Sequence, residues 1–182
     1  MTLLIILAVV SLIVLWGISV QRRLVQKDEL CKNALSQIGV QQNSRWDALT
    51  ALVELVKSYN EHEYNTLKDI IAQRRPVNGS STASEVEAQE QALSGLVKNI
   101  NLVAEQYPEL KANENYAKAM DSVNMYENQV RLSRMTFNDT VTKYNNEIRM
   151  FPASLIAGML GFSTREYLSE PVGKTEMPSM KI

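Results

Sequence analysis

The sequence is poor in the residues that build chemical sites. It has a single cysteine, Cys31, and a single histidine, His62. One thiol forms no intramolecular disulfide, and one imidazole without a Cys-x-x-Cys pair is no structural zinc site. Glycine and proline are sparse, at 7 and 5 of 182 residues, and no segment alternates apolar with polar residues as a strand does. Neither sign of charge is in excess, for 19 Lys and Arg face 20 Asp and Glu and leave a net charge of −1. A chain so balanced has no basic surplus to neutralise a phosphate backbone, which argues against nucleic acid as a partner.

What is present begins at the N-terminus. The stretch "LLIILAVVSLIVLWGISV", Leu3 to Val20, contains no charged residue. As a helix it is about 27 Å long, close to the ~30 Å hydrocarbon core of a bilayer. It reads as a retained transmembrane anchor, with its flank occupying residues 1–23. A cleaved signal peptide calls for a basic leader and a small-x-small cleavage site, and neither is found here. Arg22, Arg23 and Lys27 follow the span, whereas only the terminal amine precedes it. Basic flanks favour the cytoplasmic side, so the body is expected in the cytoplasm.

Beyond the span, apolar residues recur every three or four positions, which predicts an all-α fold. The expected architecture is the N-terminal transmembrane helix followed by an antiparallel bundle of three to four long helices over residues 24–162. A first stripe runs Leu24, Cys31, Leu35, Ile38, Trp46, Leu49, Val53, Val56, Leu67 and Ile70, ending at Pro76 and Gly79. On this stripe Cys31 and Trp46 read as core, as do Tyr59 and the helically spaced methionines. "QQNSRW" is compatible with either a continuous helix or a new one capped by Ser44. Residues 76–82 read as a polar, mobile linker, and Ser84 with Glu87 forms a capping box for the next helix. The most regular segment is 114–151. Its positions Tyr116, Met120, Val123, Glu127, Val130, Arg134, Phe137, Val141, Tyr144, Ile148 and Phe151 alternate steps of four and three, a coiled-coil-like seam. Asn145 and Asn146 lie beside this seam and are expected to face solvent or a neighbouring helix. "ASLIAGMLGF" offers Leu155, Ile156, Met159, Leu160 and Phe162 for docking on the bundle, with the membrane surface or a partner groove as alternatives. Residues 163–182 read as a weakly structured tail.

Four stretches in order, "NALSQIGVQQNSRWDALTALVELVKSYNEHEYNTL", "YPELKANENY", "MTFNDTVTKYNNEIRMFP" and "IAGMLGF", resemble the LemA family of bacterial membrane-anchored helical proteins. The family's "LVETVKGYAxHE" is similar to residues 52–63, its "PxLKANE" to 108–114 and its "YNxxIxxFP" to 144–152. Members commonly carry proline where this chain has Thr50, so a kink expected there is softer here. The resemblance implies a short extracytoplasmic N-terminus, one span in the bacterial cytoplasmic membrane and a helical bundle. It implies no catalytic residue and no cofactor.

His62 sits between Glu61 and Glu63, which invites a metal reading. A zincin helix needs a second histidine at position 66, where Thr66 stands, and a Glu-x-x-His motif needs glutamate at 59, where Tyr59 stands. Continuing the first helix at ~100° per residue places His62 off the apolar stripe and Glu63 on it. A carboxylate in a helix seam needs a partner. Glu63, Glu127 and Arg134 are therefore expected to form one buried polar layer that sets helix register. The functional expectation is a non-enzymatic, membrane-tethered bundle that binds other proteins, self-association through the long seam included. The alternatives are a metal-dependent bundle enzyme using Glu63, His62 and Glu127, and a helical binding protein outside the cytoplasm.

Overall fold

One uninterrupted helix, α1 (Thr2–Lys57), carries both the apolar run and the first wall of the body. The structure is a computed structural model and describes residues 1–169. At 1.5 Å per residue α1 is about 84 Å long. It passes through "QQNSRW" without a break. Ser44 does not cap a new helix; its hydroxyl donates back to the Val40 carbonyl at 3.2 Å, and Thr50 does the same to Trp46 at 2.8 Å. Such back-bonding keeps both residues inside the helix. Leu3 to Val14 are exposed, and burial against other elements starts at Val20. The apolar end is long and apolar enough to cross a membrane.

The expected continuation of this helix to Pro76 does not occur. Asn60 leaves the helical region, and its side-chain oxygen accepts from the backbone N–H groups of His62 at 2.8 Å and Glu63 at 3.2 Å. This cap starts α2 (Glu61–Ile71), which folds back along α1. Tyr64 and Leu67 are its buried residues. The turn is locked from the far end of the bundle, where Asn60 also donates to the Tyr107 hydroxyl. Asparagine offers the backbone a local partner in place of the next helical bond, which is why the chain turns here.

Residues 76–82, expected as a polar, mobile linker, are mostly exposed, but Val77 and Gly79 pack against α1. Val77 is buried and its carbonyl lies against Gly39 of α1, so close that a Cβ on Gly39 would stand 2.0 Å from the oxygen. Gly79 approaches the Lys32 carbonyl in the same manner. Helix α3 (Ala83–Gln106) then begins at a capping box two residues earlier than predicted. Thr82 accepts from the Glu85 N–H at 3.2 Å and Glu85 accepts from the Thr82 N–H at 2.8 Å. Both Thr82/Glu85 and Ser84/Glu87 satisfy the same local pattern, and Glu87 is held by Ser169.

A single turn, α4 (Pro108–Lys111), buries Leu110 and leads to α5 (Glu114–Arg149), capped by Asn113. α5 runs the length of the body antiparallel to α1, with Lys27 pairing Glu147 at one end and Arg45 pairing Glu127 midway. α1, α2, α3 and α5 therefore alternate in direction. The seam predicted on α5 is buried from Tyr116 to Ile148, with Met120 and Glu127 half-buried. Phe151 departs from it, being 80% exposed beyond the helix end. The short α6 (Ala153–Met159) closes back onto α1. The interior divides into two apolar clusters. One gathers Ile38, Val86, Val130 and residues nearer the apolar end of α1; the other gathers Trp46, Leu93, Val123 and residues toward the far turn.

Candidate functional site

Between the two clusters lies a charged layer. Gln42 and Arg45 enter it from α1, Glu90 from α3 and Glu127 from α5. Arg45 is 2% exposed. Its Nη1 donates to Glu90 Oε1 at 2.7 Å and its Nη2 to Glu127 Oε2 at 3.0 Å. Gln42 donates to Glu90 at 3.2 Å and to the Val86 carbonyl at 3.4 Å. A planar guanidinium suits this task because its donors diverge toward two acceptors at fixed angles. The layer tolerates one relative height of α1, α3 and α5, since a one-turn slip strands a buried cation.

The polar layer expected from Glu63, Glu127 and Arg134 does not form; the three residues lie in separate places. Glu127 belongs to the Arg45 layer. Glu63 is half-buried in the first turn of α2, where the helix dipole favours a carboxylate. It stands about 18 Å farther along α1 than Arg45, judged from the rise per residue to Lys57. The placement of Glu63 in the seam fails because the turn at residues 58–60 resets the helical phase. His62 is exposed at the far tip, remote from Glu127, so the three residues of the metal-enzyme reading do not converge. Among the described residues no three His, Cys, Asp or Glu side chains could share a metal ion.

Arg134 serves a different structure. It is buried, and its Nη2 donates to the Ser169 carbonyl. Residues 163–169, expected to begin a loose tail, form an irregular strap along α5. Asn145 donates to the Arg165 carbonyl at 2.9 Å and accepts from the Arg165 N–H at 2.9 Å. Asn138, two turns earlier, does the same for Leu168, at 2.8 and 3.0 Å. Each amide satisfies one backbone donor and one acceptor, which is what an extended segment without a strand partner requires. Leu168 of the strap turns inward and is buried in the cluster that holds Val130, Phe137 and Val141. Asn145 is thus buried, whereas Asn146 is exposed as expected. The part of the predicted tail at residues 170–182 lies outside the described residues.

Charges tie the strap to other helices. Arg165 binds Asp28 of α1, with Nη2 to Oδ1 at 2.7 Å. Burial pushes the Asp28 carboxyl upward, but hydrogen bonds from Arg165 and Lys32 outweigh it and hold the group below its ordinary value. Glu87 of α3 accepts from the hydroxyl and N–H of Ser169. Those two bonds lower its carboxyl and outweigh the opposing effect of burial, with the Arg134 charge the least of the contributions. Near the apolar end, the Lys27 ammonium lowers Glu147 in the same way. Cys31 is fully buried and burial raises its thiol, in keeping with a small core residue.

Sequence reasoning missed Arg45, Gln42 and the two strap asparagines. A signal for the first two existed. The series Cys31, Leu35, Ile38, Gln42, Arg45, Leu49, Leu52 and Val56 alternates steps of four and three, and all eight positions are buried. Counting that seam in place of the Trp46 stripe puts a charge at its centre. Asn138 and Asn145 share a seven-residue spacing, but nothing local says that a backbone will lie over them.

The sequence profile of the LemA family matches residues 34–181, a span that begins after the apolar run and takes in both the charged layer and the strap. Protein LemA of Metamycoplasma hominis is 24% identical over 144 residues, covering 77% of this chain and 64% of that protein. Magnetosome proteins MamQ 1 and MamQ 2 of Paramagnetospirillum magneticum are each 34% identical over 74 residues, which is 40% of this chain and 27% of theirs. The chain thus spans less than two thirds of the length of these relatives.

Proposed function

Because the chain belongs to the LemA family, we propose that it is a membrane-tethered helical protein that presents a binding surface to other proteins and performs no catalysis itself. The observation that carries this reading is the continuity of α1. One helix supplies the exposed apolar segment and then forms the full-length wall of the bundle. The body is therefore coupled rigidly to the anchor and extends about 55 Å from Val20 to Lys57. Confinement to a membrane raises the effective concentration toward other membrane proteins, so modest affinities suffice. The outer face of α5 offers a surface for this, with Met125, Leu132 and Met135 each at least half exposed. Flexible methionines adapt to more than one partner. The dispersal of His62, Glu63 and Glu127 supports a binding role over hydrolysis or redox chemistry. Arg22, Arg23 and Lys27 support a cytoplasmic body at the inner membrane of a bacterium.

Capture with the span intact, in mild detergent, is the test. The expected result is a reproducible set of membrane proteins lost on Leu132→Glu with Met135→Glu; a blank from the parent chain overturns the reading. A reporter enzyme active only outside the cytoplasm, fused after Ile182, checks orientation, and strong activity overturns the cytoplasmic assignment.

A further inference from the structure

At α6 the body meets the apolar end of α1. Residues 150–164 contain no charged side chain. α6 rests on α1 through small residues, with Ala153 and Ala157 buried in the cluster that holds Val20 and Leu24. Small side chains let the two helices approach closely. Ile156 reaches farther, so that a Cβ on Gly17 would stand 3.8 Å from its Cδ1. The apolar run ends at Val20, followed by Gln21, Arg22 and Arg23. Ile156 therefore lies at the height of the last turn of the apolar run, about 5 Å inside its boundary. The large side chains of α6 and its flanks that stay exposed are apolar. Phe151 is 80% exposed, Leu155 59%, Met159 84% and Leu160 52%. Arg22, two residues past the apolar run, and Arg149, at the end of α5 just before this segment, are exposed as well.

We propose that α6 and its flanks are a second membrane contact, a foot seated in the headgroup and upper acyl region of the leaflet from which α1 emerges. This inference rests on the reading of residues 3–20 as a span. The occupant of the exposed face follows from height. A surface level with the end of a membrane span, and turned away from the protein, meets lipid. The immersion of about 5 Å is at the shallow end of the depth at which interfacial helices bury their apolar faces. Arg22 and Arg149 stand where phosphates lie. The foot and the span together fix the tilt of the bundle against the bilayer, which a single rigid span, free to tilt as a whole, does not. The half-buried Ile156 and buried Ala157 make this a preformed element; no folding on contact is required.

The test uses the full chain in phosphatidylcholine–phosphatidylglycerol vesicles. An environment-sensitive fluorophore is placed at Leu155→Cys or Met159→Cys, with Cys31→Ala to make labelling specific. Val10→Cys reports the span and Thr66→Cys the far tip. Lipids carrying a shallow spin label are expected to quench positions 155 and 159 by about half, as interfacial depth demands, and to leave 66 unaffected. Flotation of the vesicles and deep quenching at position 10 show separately that the span is inserted. A water-like emission at 155 and 159 while position 10 is quenched overturns the foot and leaves the anchor standing. Blue-shifted emission without lipid quenching means that a second chain covers the face, and overturns it too. Loss of flotation with an unquenched position 10 overturns the anchor and the foot together.

Discussion

Replacing Arg45 by methionine isolates the energetics of the charged layer, because methionine keeps most of the apolar stem and removes the guanidinium. Arg45 is 2% exposed, while the side chains of Glu90 and Glu127 are 19% and 32% exposed. Opposite charges about 4 Å apart attract by about 4 kcal/mol at an effective dielectric of 20, so the two pairs total about 8 kcal/mol before solvation. Burying the guanidinium costs several kcal/mol, and partial hydration of the carboxylates screens both pairs. The expected loss on Arg45→Met is about 3 kcal/mol, as for stranding buried charge, which lowers the unfolding midpoint by about 6–12 °C in a chain of this size. Changing all three, Arg45→Met with Glu90→Leu and Glu127→Leu, is expected to restore stability to within about 1 kcal/mol of the parent. Thermal unfolding of the full chain in lipid nanodiscs, read by the buried Trp46 beside the layer, measures both. A single-variant loss under about 1 kcal/mol, or a triple variant no more stable than the single, refutes the assignment of the layer as a paired unit.

Three further outcomes follow from named contacts. Gly39→Ala, which in an ordinary helix interior stabilises by about 0.5–1 kcal/mol, is expected to destabilise by about 1–3 kcal/mol because its Cβ meets the Val77 carbonyl; an upward shift of the unfolding midpoint contradicts this. Asn138→Ala and Asn145→Ala each remove two hydrogen bonds to the strap, and are expected to speed amide exchange at Leu168 and Arg165 respectively by about tenfold without changing α3; unchanged exchange refutes the clasp. Acid is expected to loosen the same strap. Glu87 and Asp28 titrate below their ordinary values of 4.5 and 3.8 when folded, so their stabilisation is complete above those values and is lost as pH falls through the lower folded ones. Strap opening at residues 165–169, read as amide exchange corrected for its intrinsic pH dependence, should therefore rise below about pH 4.5, and Glu87→Gln should remove the Ser169 part of that rise; corrected exchange that instead rises toward alkaline pH reverses the sign and refutes the assignment.

The all-helical architecture was legible because it rests on local periodicity. The α5 seam was read almost residue for residue, since its steps of four and three persist without interruption and each step reports the same face. The ends of elements were harder. Asn60 starts α2 by side-chain hydrogen bonds that an apolar stripe does not register, and the spacing of apolar residues runs on across the turn. Thr82/Glu85 and Ser84/Glu87 compete on equal local terms. Glu87 is taken by Ser169, a residue far along the chain, and this long-range bond accompanies the start of α3 at Thr82.

The sequence by itself determined the apolar segment, the helical content and which faces of α1 and α5 turn inward, because hydrophobic spacing along one helix needs no knowledge of the others. Tertiary structure alone decided which charges meet. Arg45 finds Glu90 and Glu127, Arg134 finds the Ser169 carbonyl, and Asn138 and Asn145 find the strap, all through the relative heights of elements joined by turns. A shift of one turn moves a side chain about 5.4 Å, more than the reach of a hydrogen bond, and no local pattern encodes that offset.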